Sequence, residues 1–165
     1  MKSMKNIKEI SAQVGENLIN KDCFVAVAES CTGGLVSAAL TDVPGSSKYF
    51  GYGLVTYSNK AKVQLLGVRE ITLELFGAVS AETAGEMAEG IRGLSGSDYG
   101  IAVTGIAGPG GGSPDKPVGL VYVGVCGKDM TETSRFKFEG DRQEIRNKSV
   151  EAALNTFLEF LQRYA

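Results

Sequence analysis

Apolar positions along the chain alternate between two spacings. Ile7, Ile10, Val14 and Leu18 recur at three- and four-residue steps with Lys8, Glu9, Glu16 and Asn17 between them, which predicts an amphipathic helix ending near Asn20. Phe24 to Ala28 is apolar without alternation, the mark of a strand covered on both faces. Leu35 to Leu40 reads as a helix, with Thr32 as its N-cap and Asp42-Val43-Pro44-Gly45 as its stop. Tyr52 to Tyr57 forms a short strand, and Asn59 is placed to cap a helix that runs through Lys62 to Gly67. Ser80 caps a longer helix whose apolar face is Ala84, Met87, Ala88, Ile91 and Leu94, with Glu82, Glu86 and Glu89 in water. Tyr99 to Val103 repeats the buried-strand pattern and runs into a glycine-rich loop from Thr104 to Pro114. Val118 to Cys126 and Thr131 to Phe138 flank a hairpin connection, the second strand alternating Phe136 and Phe138 with charged residues as a sheet rim does. Asp141 and Glu144 have capping-box spacing ahead of a final helix.

This order predicts an α/β fold: a three-layer α/β/α sandwich on a mixed, mainly parallel sheet. In such sheets ligands collect beyond the carboxyl ends of the strands. Three of those ends deliver Ser30, the stretch from Tyr57 to Lys62, and Thr104 to Gly112.

Composition narrows the chemistry. The 165 residues suit a single domain over 1–165, and the net charge of -2 without a basic run favours a small-molecule partner over nucleic acid or membrane. The start, Met1 to Ile7, is basic but has no apolar signal core, so a cytoplasmic protein is expected. Cys23, Cys31 and Cys126 form no C-x-x-C pair, which favours reduced thiols. The chain has no histidine, which excludes Ser-His-Asp and Cys-His catalysis within one chain and argues against a zinc site. No metal or cofactor is expected.

A hydrolase built from these residues needs another base. Ser30 stands where a strand gives way to a helix, a position usual for a cap and equally suited to a nucleophile beside free backbone N–H groups. Gly33 and Gly34 let a ligand approach the backbone. Cys31 is the rival nucleophile, although a small buried cysteine is the commoner case. Lys62 is the candidate base if burial, its place in the first turn of a helix and a cation such as Arg142 hold it well below its ordinary pKa of about 10.4. Lys60, two residues away, points from another face. Tyr57 suits a proton relay or hydrogen-bond donor, Thr104 and Gly105 a leaving-group or oxyanion contact, and Arg142 an anion contact or a surface pair with Glu139. The run from Gly108 to Gly112 matches neither a P-loop nor a dinucleotide fingerprint.

Ala28 to Gly34, Val55 to Asn59 with Lys62, and Thr104 to Pro109 closely resemble the CinA carboxy-terminal domain, a family of nicotinamide-nucleotide amidases. The resemblance continues through Gly67-Val68, Gly77 to Ser80, Lys116 to Gly119 and Gly140-Asp141-Arg142, nearly the whole chain in order. It implies hydrolysis of nicotinamide mononucleotide to nicotinic acid mononucleotide and ammonia, a step of pyridine nucleotide recycling, by a Ser-Lys pair. By motif, Ser30 is the nucleophile, Lys62 the base and Tyr57 an assisting hydroxyl. The expected substrate-binding set is Thr32, Gly33, Gly34, Asn59, Thr104, Gly105 and Arg142, with helix N–H groups holding the oxyanion. The resemblance also implies a five-stranded sheet of order 2-1-3-4-5, a homodimer and a stand-alone form of the domain. Two other readings stand beside it: a non-catalytic nucleotide-binding module, and a cysteine-dependent hydrolase or redox sensor at Cys31.

Overall fold

The computed structural model describes residues 2–164, with side chains from Asn6 onward; the side chains of the basic start, Met1 to Lys5, lie outside the described residues. The elements are α1 (Lys2–Lys21), β1 (Val25–Glu29), α2 (Leu35–Thr41), β2 (Phe50–Val55), α3 (Asn59–Leu66), α4 (Glu70–Phe76), α5 (Ala81–Ser95), β3 (Tyr99–Gly105), β4 (Leu120–Cys126), β5 (Thr131–Lys137) and α6 (Arg142–Tyr164). The five strands lie in the order β2-β1-β3-β4-β5. β1 is parallel to both β2 and β3, while β4 runs antiparallel to β3 and β5, so β4 alone opposes the common direction.

Burial explains the order. β1 is buried along its whole length, its valines and alanines facing opposite layers: Val25 and Val27 join a cluster with Val14, Leu18, Leu154 and Phe157, and Ala26 and Ala28 join one with Met87, Ala88 and Ile91. α1, α2 and α6 therefore form one helical layer and α3, α4 and α5 the other. The charged strand β5 takes one edge, where alternate residues reach solvent. β2 takes the other edge with Tyr52 and Val55 about half exposed.

The capping box of α6 forms as the spacing predicts, the Glu144 N–H donating to Asp141 Oδ1 at 2.9 Å and the Asp141 N–H to Glu144 Oε1 at 3.3 Å. Ser80 likewise caps α5 by accepting the Thr83 N–H at 3.2 Å. Leu94 departs from the predicted apolar face: it is 54% exposed, because the contact of α5 with the sheet ends at Ile91. α4 has no counterpart in the sequence reading. Its apolar residues Ile71, Leu75 and Phe76 are exposed, and only Thr72 is fully buried.

α5 lies unusually close to the sheet. A Cβ added at Gly100 would stand 2.3 Å from the Ala88 carbonyl oxygen, and one at Gly124 2.3 Å from that of Ala84. The obstacle is helix backbone, which has no alternative rotamer. Gly124→Ala is therefore expected to destabilise the protein by about 1–3 kcal/mol, the range for overpacked sites, read as a lower denaturation midpoint at unchanged slope.

Candidate active site

β1 ends on Glu29, and the chain turns tightly through residues 30–34 before α2 begins. The Glu29 carboxylate is fully buried and meets four donors: the Thr32 hydroxyl at 2.6 Å, the Val36 N–H at 2.8 Å, the Ser37 N–H at 3.0 Å and the Ser37 hydroxyl at 2.8 Å. It occupies the amino end of α2, where a negative charge is favoured. Two expectations are corrected by this carboxylate. Thr32 does not cap α2; Gly34 holds the cap position in a left-handed conformation with φ 108°, and the Thr32 hydroxyl donates to Glu29 instead. The first amides of α2 are also committed, Leu35 to the Thr32 carbonyl and Val36 and Ser37 to Glu29, so the helix end has none of them to spare for an oxyanion.

Ser30 is held at the strand end, its N–H donating to the Val103 carbonyl on β3 at 2.9 Å. The β2–α3 connection brings Lys62 to it. Ser58, not Asn59, caps α3, accepting the Ala61 N–H at 3.0 Å because its extended backbone turns the hydroxyl over the first turn; Asn59 is already helical. Lys62 sits in that first turn, 1% exposed, with Nζ 2.8 Å from the Thr56 carbonyl oxygen, 3.4 Å from the Tyr57 carbonyl oxygen and 3.1 Å from Ser30 Oγ. A neutral amine has two N–H bonds and one lone pair. With the two carbonyls able only to accept, the lone pair is left for the Ser30 hydroxyl. Burial lowers the Lys62 pKa from its ordinary value, and the Cys31 thiol acts weakly the other way. Arg142 is not among the causes, contrary to the expectation that a neighbouring cation would contribute. Lys60 is exposed, as its different face predicts.

The remaining expected residues divide. Tyr57 meets Lys62 through its backbone carbonyl; its ring is 62% exposed, and its hydroxyl accepts from Arg142 Nη2 at 3.3 Å. Since Lys62 reaches Ser30 directly, no tyrosine relay between them is needed. Arg142 also donates to the Gly108 carbonyl at 2.8 Å and so ties the glycine-rich loop to Tyr57, while Glu139 pairs with Lys137 instead. Thr104 is buried and donates its hydroxyl to the Ala78 carbonyl at 2.8 Å, which leaves it only lone pairs to offer a ligand. Gly105 serves strand packing: a Cβ there would lie 2.7 Å from Val121 Cγ2 and 2.9 Å from the Leu120 carbonyl oxygen. Asn59 lines a separate hollow with Lys60, Val63, Gln64, Glu70 and Leu73, and makes no side-chain hydrogen bond among the described residues. Cys31 is buried and its thiol is pushed up to about 11, chiefly by desolvation, which opposes a nucleophilic thiolate.

Three residues that the sequence reading did not single out complete the site. Glu29 organises the turn after Ser30, and Thr56 supplies the nearer carbonyl to Lys62. Arg146 reaches across from α6, its Nε donating to the Cys31 carbonyl and its Nη2 to the Thr32 carbonyl, both at 3.1 Å. Position in Asp141-Arg142-x-x-x-Arg146, one helical turn behind Arg142, was the only signal for the last.

The family model described as the CinA C-terminal domain matches residues 7–161. The chain belongs to that family. Among its relatives, a CinA-like protein of Endomicrobium trichonymphae is 53% identical over 154 residues, and one of Desulforapulum autotrophicum is 58% identical over 126. The matches cover 93% and 76% of this chain but only 35% and 30% of those proteins, so the chain spans about a third of the length of the curated relatives it matches. The solved competence/damage inducible protein CihA from Agrobacterium tumefaciens superposes with a TM-score of 0.92 at 42% identity, covering 95% of this chain and 96% of that one. The competence damage-inducible protein A (ComA) from Klebsiella pneumoniae gives 0.93 at 38%, covering 96% and 99%. The three-layer sandwich and its strand order are those of the CinA family.

The lowered pKa of Lys62 has a consequence for stability. Between that pKa and the ordinary value near 10.5, the unfolded chain holds one proton more than the folded one, so stability rises with pH across this window and is flat for this group below it. Wild type should therefore gain stability relative to Lys62→Met as the pH is raised towards 10.5; denaturant melts showing parallel pH curves for the two proteins would contradict the buried, proton-poor amine.

Proposed function

We propose that the protein is a serine amidohydrolase that converts nicotinamide mononucleotide to nicotinic acid mononucleotide and ammonia, with Ser30 as nucleophile and Lys62 as general base. The observation that carries this reading is the buried Lys62 amine, 3.1 Å from Ser30 Oγ, with carbonyl acceptors for its N–H bonds. The substrate follows from the family resemblance of the motifs around Ser30, Lys62 and Thr104.

Lys62 takes the Ser30 proton as Oγ bonds to the carboxamide carbon, and the carbonyl electron pair moves onto oxygen. The Thr56 and Tyr57 carbonyls stabilise the resulting ammonium by accepting its hydrogen bonds. Collapse of the oxyanion breaks the carbon–nitrogen bond, Lys62 returns the proton to the departing nitrogen, and ammonia leaves an acyl-Ser30 ester. A water molecule then attacks the ester while Lys62 takes its proton. The carboxylate is released and Ser30 recovers its hydrogen. In this reading Thr104 and Arg142 contact the substrate, as the family motifs imply, and Arg142 holds the Tyr57 hydroxyl.

The protein acts as a homodimer in this reading. Supporting it, Tyr52 and Val55 on the β2 edge and Leu65, Ile71, Leu75 and Phe76 on α3 and α4 are all exposed apolar side chains.

Purified protein should release ammonia from the mononucleotide, and Ser30→Ala and Lys62→Met should each lower kcat by at least ~10³-fold. Nucleotide binding to Ser30→Ala with no wild-type ammonia release would instead indicate a binding module. Activity should fall with decreasing pH through the lowered Lys62 pKa, since only the neutral amine accepts the serine proton; acylation that stays flat down to about pH 5 would remove Lys62 as base. In sedimentation experiments wild type should run as a dimer and Leu75→Glu as a monomer.

A further inference from the structure

We infer that Arg146 is a positioning residue that builds the oxyanion site of the proposed amidase, by fixing the direction of the two peptide N–H groups that follow Ser30. The inference rests on Ser30 being the nucleophile, as proposed above.

A tetrahedral oxyanion needs hydrogen-bond donors beside the nucleophile, and the obvious source is closed. The first amides of α2 that reach a side chain, Val36 and Ser37, are both held by the buried Glu29 carboxylate. The Ser30 N–H is bonded to Val103, and the Gly33 and Leu35 N–H groups are bonded to the Ser30 and Thr32 carbonyls at 3.1 Å. Among the described residues, the N–H groups of Cys31, Thr32 and Gly34 in this turn have no hydrogen-bond acceptor elsewhere in the chain. Cys31 and Thr32 carry the two amides next after the nucleophile, and α/β-hydrolases likewise draw an oxyanion donor from the residue that follows theirs.

Their direction is set from behind. In a trans peptide the N–H points opposite to the preceding carbonyl. The Ser30 carbonyl is engaged by Gly33, which turns the Cys31 N–H the other way. The Cys31 carbonyl is engaged by Arg146 Nε from α6, which turns the Thr32 N–H away from the α6 layer. Lys62 and α3 lie in the opposite layer, so this N–H is directed to the side on which the amine meets Ser30 Oγ. Arg146 Nη2 holds the next carbonyl, that of Thr32, and locks the turn at a second point. The planar guanidinium spans both carbonyls at once, which a lysine ammonium on a flexible stem does not reproduce. Gly33 is part of the same device: its φ is 57°, and a Cβ there would stand 3.3 Å from Arg146 Nη2.

The test compares wild type, Arg146→Lys and Arg146→Met in ammonia release from nicotinamide mononucleotide, with urea melts and near-ultraviolet circular dichroism to show folding. Loss of an oxyanion donor typically costs about 10²–10³ in kcat, so Arg146→Met should lose about 10²-fold with KM changed by less than about threefold. Arg146→Lys should lose nearly as much, guanidinium ion at millimolar concentration should partly restore an Arg146→Ala variant, and the acid limb of the pH profile should stay where Lys62 puts it. A folded Arg146→Met with wild-type kcat overturns the inference, as does a raised KM at constant kcat, which would make Arg146 a substrate contact. So does a shifted acid limb, which would place its effect on Lys62. If Arg146→Met does not fold, Gly33→Ala, which crowds the guanidinium without removing it, is measured against the same criteria. The burst of nitrophenolate from p-nitrophenyl acetate, present in wild type and absent in Ser30→Ala, gives the same comparison without the mononucleotide. A wild type that shows the burst but releases no ammonia fails the substrate reading alone; a burst equal in wild type and Arg146→Met fails the inference alone; a wild type with neither reaction fails both.

Discussion

The buried amine of Lys62 is the constraint around which this structure is arranged. An ammonium group removed from water is expensive, and the protein meets the cost by giving the amine two backbone carbonyls and one hydroxyl rather than a carboxylate. A carboxylate partner would have raised the pKa and kept the proton in place. Burial does the reverse, and the neutral carbonyls satisfy the N–H bonds without adding an opposite charge, which is what the proposed base requires. The β2 edge strand, the Ser58 cap and the packing of Leu66 in the Met87–Ile91 cluster serve to bring one methylene stem through the layer to the end of β1.

The turn after Ser30 shows a second use of buried charge. Glu29 and Arg146 both hold this turn and meet at Thr32, yet form no ion pair with each other: the carboxylate is satisfied by donors in the loop and α2, the guanidinium by carbonyls of Cys31 and Thr32. Each fixes one side of the turn. Donors are drawn towards Glu29 and acceptors towards Arg146, so the N–H groups left over have little freedom of direction. Rigid support of this kind is what the proposed nucleophile requires and a serine that merely ends a strand does not.

Much of the framework was legible in the chain. β1 and β3 announce themselves as unbroken apolar runs because both faces are covered, and the α6 capping box and the Ser80 cap formed because those interactions are made within four residues. α4 was not legible: Ile71, Leu75 and Phe76 face outward and Leu73 alone of its apolar residues packs against the core, so no buried stripe imposes a helical period. The caps at Thr32 and Asn59 were misplaced for a related reason. Local sequence offers several hydroxyls or amides to each helix start, and a buried carboxylate from β1 in one case, and the extended backbone of Ser58 in the other, decided among them.

For the site, the sequence by itself determined the chemical inventory. Without histidine, a serine hydrolase had to use another base, and Lys62 stood in a first helical turn where positive charge is disfavoured. Family motifs associate Ser30, Lys62, Tyr57 and Thr104 without reference to geometry. Only the tertiary structure decided which of these meet. It put Lys62 against Ser30, turned the Tyr57 hydroxyl towards Arg142, gave Thr104 to Ala78, and left Asn59 on another surface. It also brought in Arg146 from more than a hundred positions away. A one-dimensional pattern records which groups prefer to be buried, but the direction of a lone pair or a peptide N–H is fixed by partners that only strand pairing and layer packing bring within bonding distance.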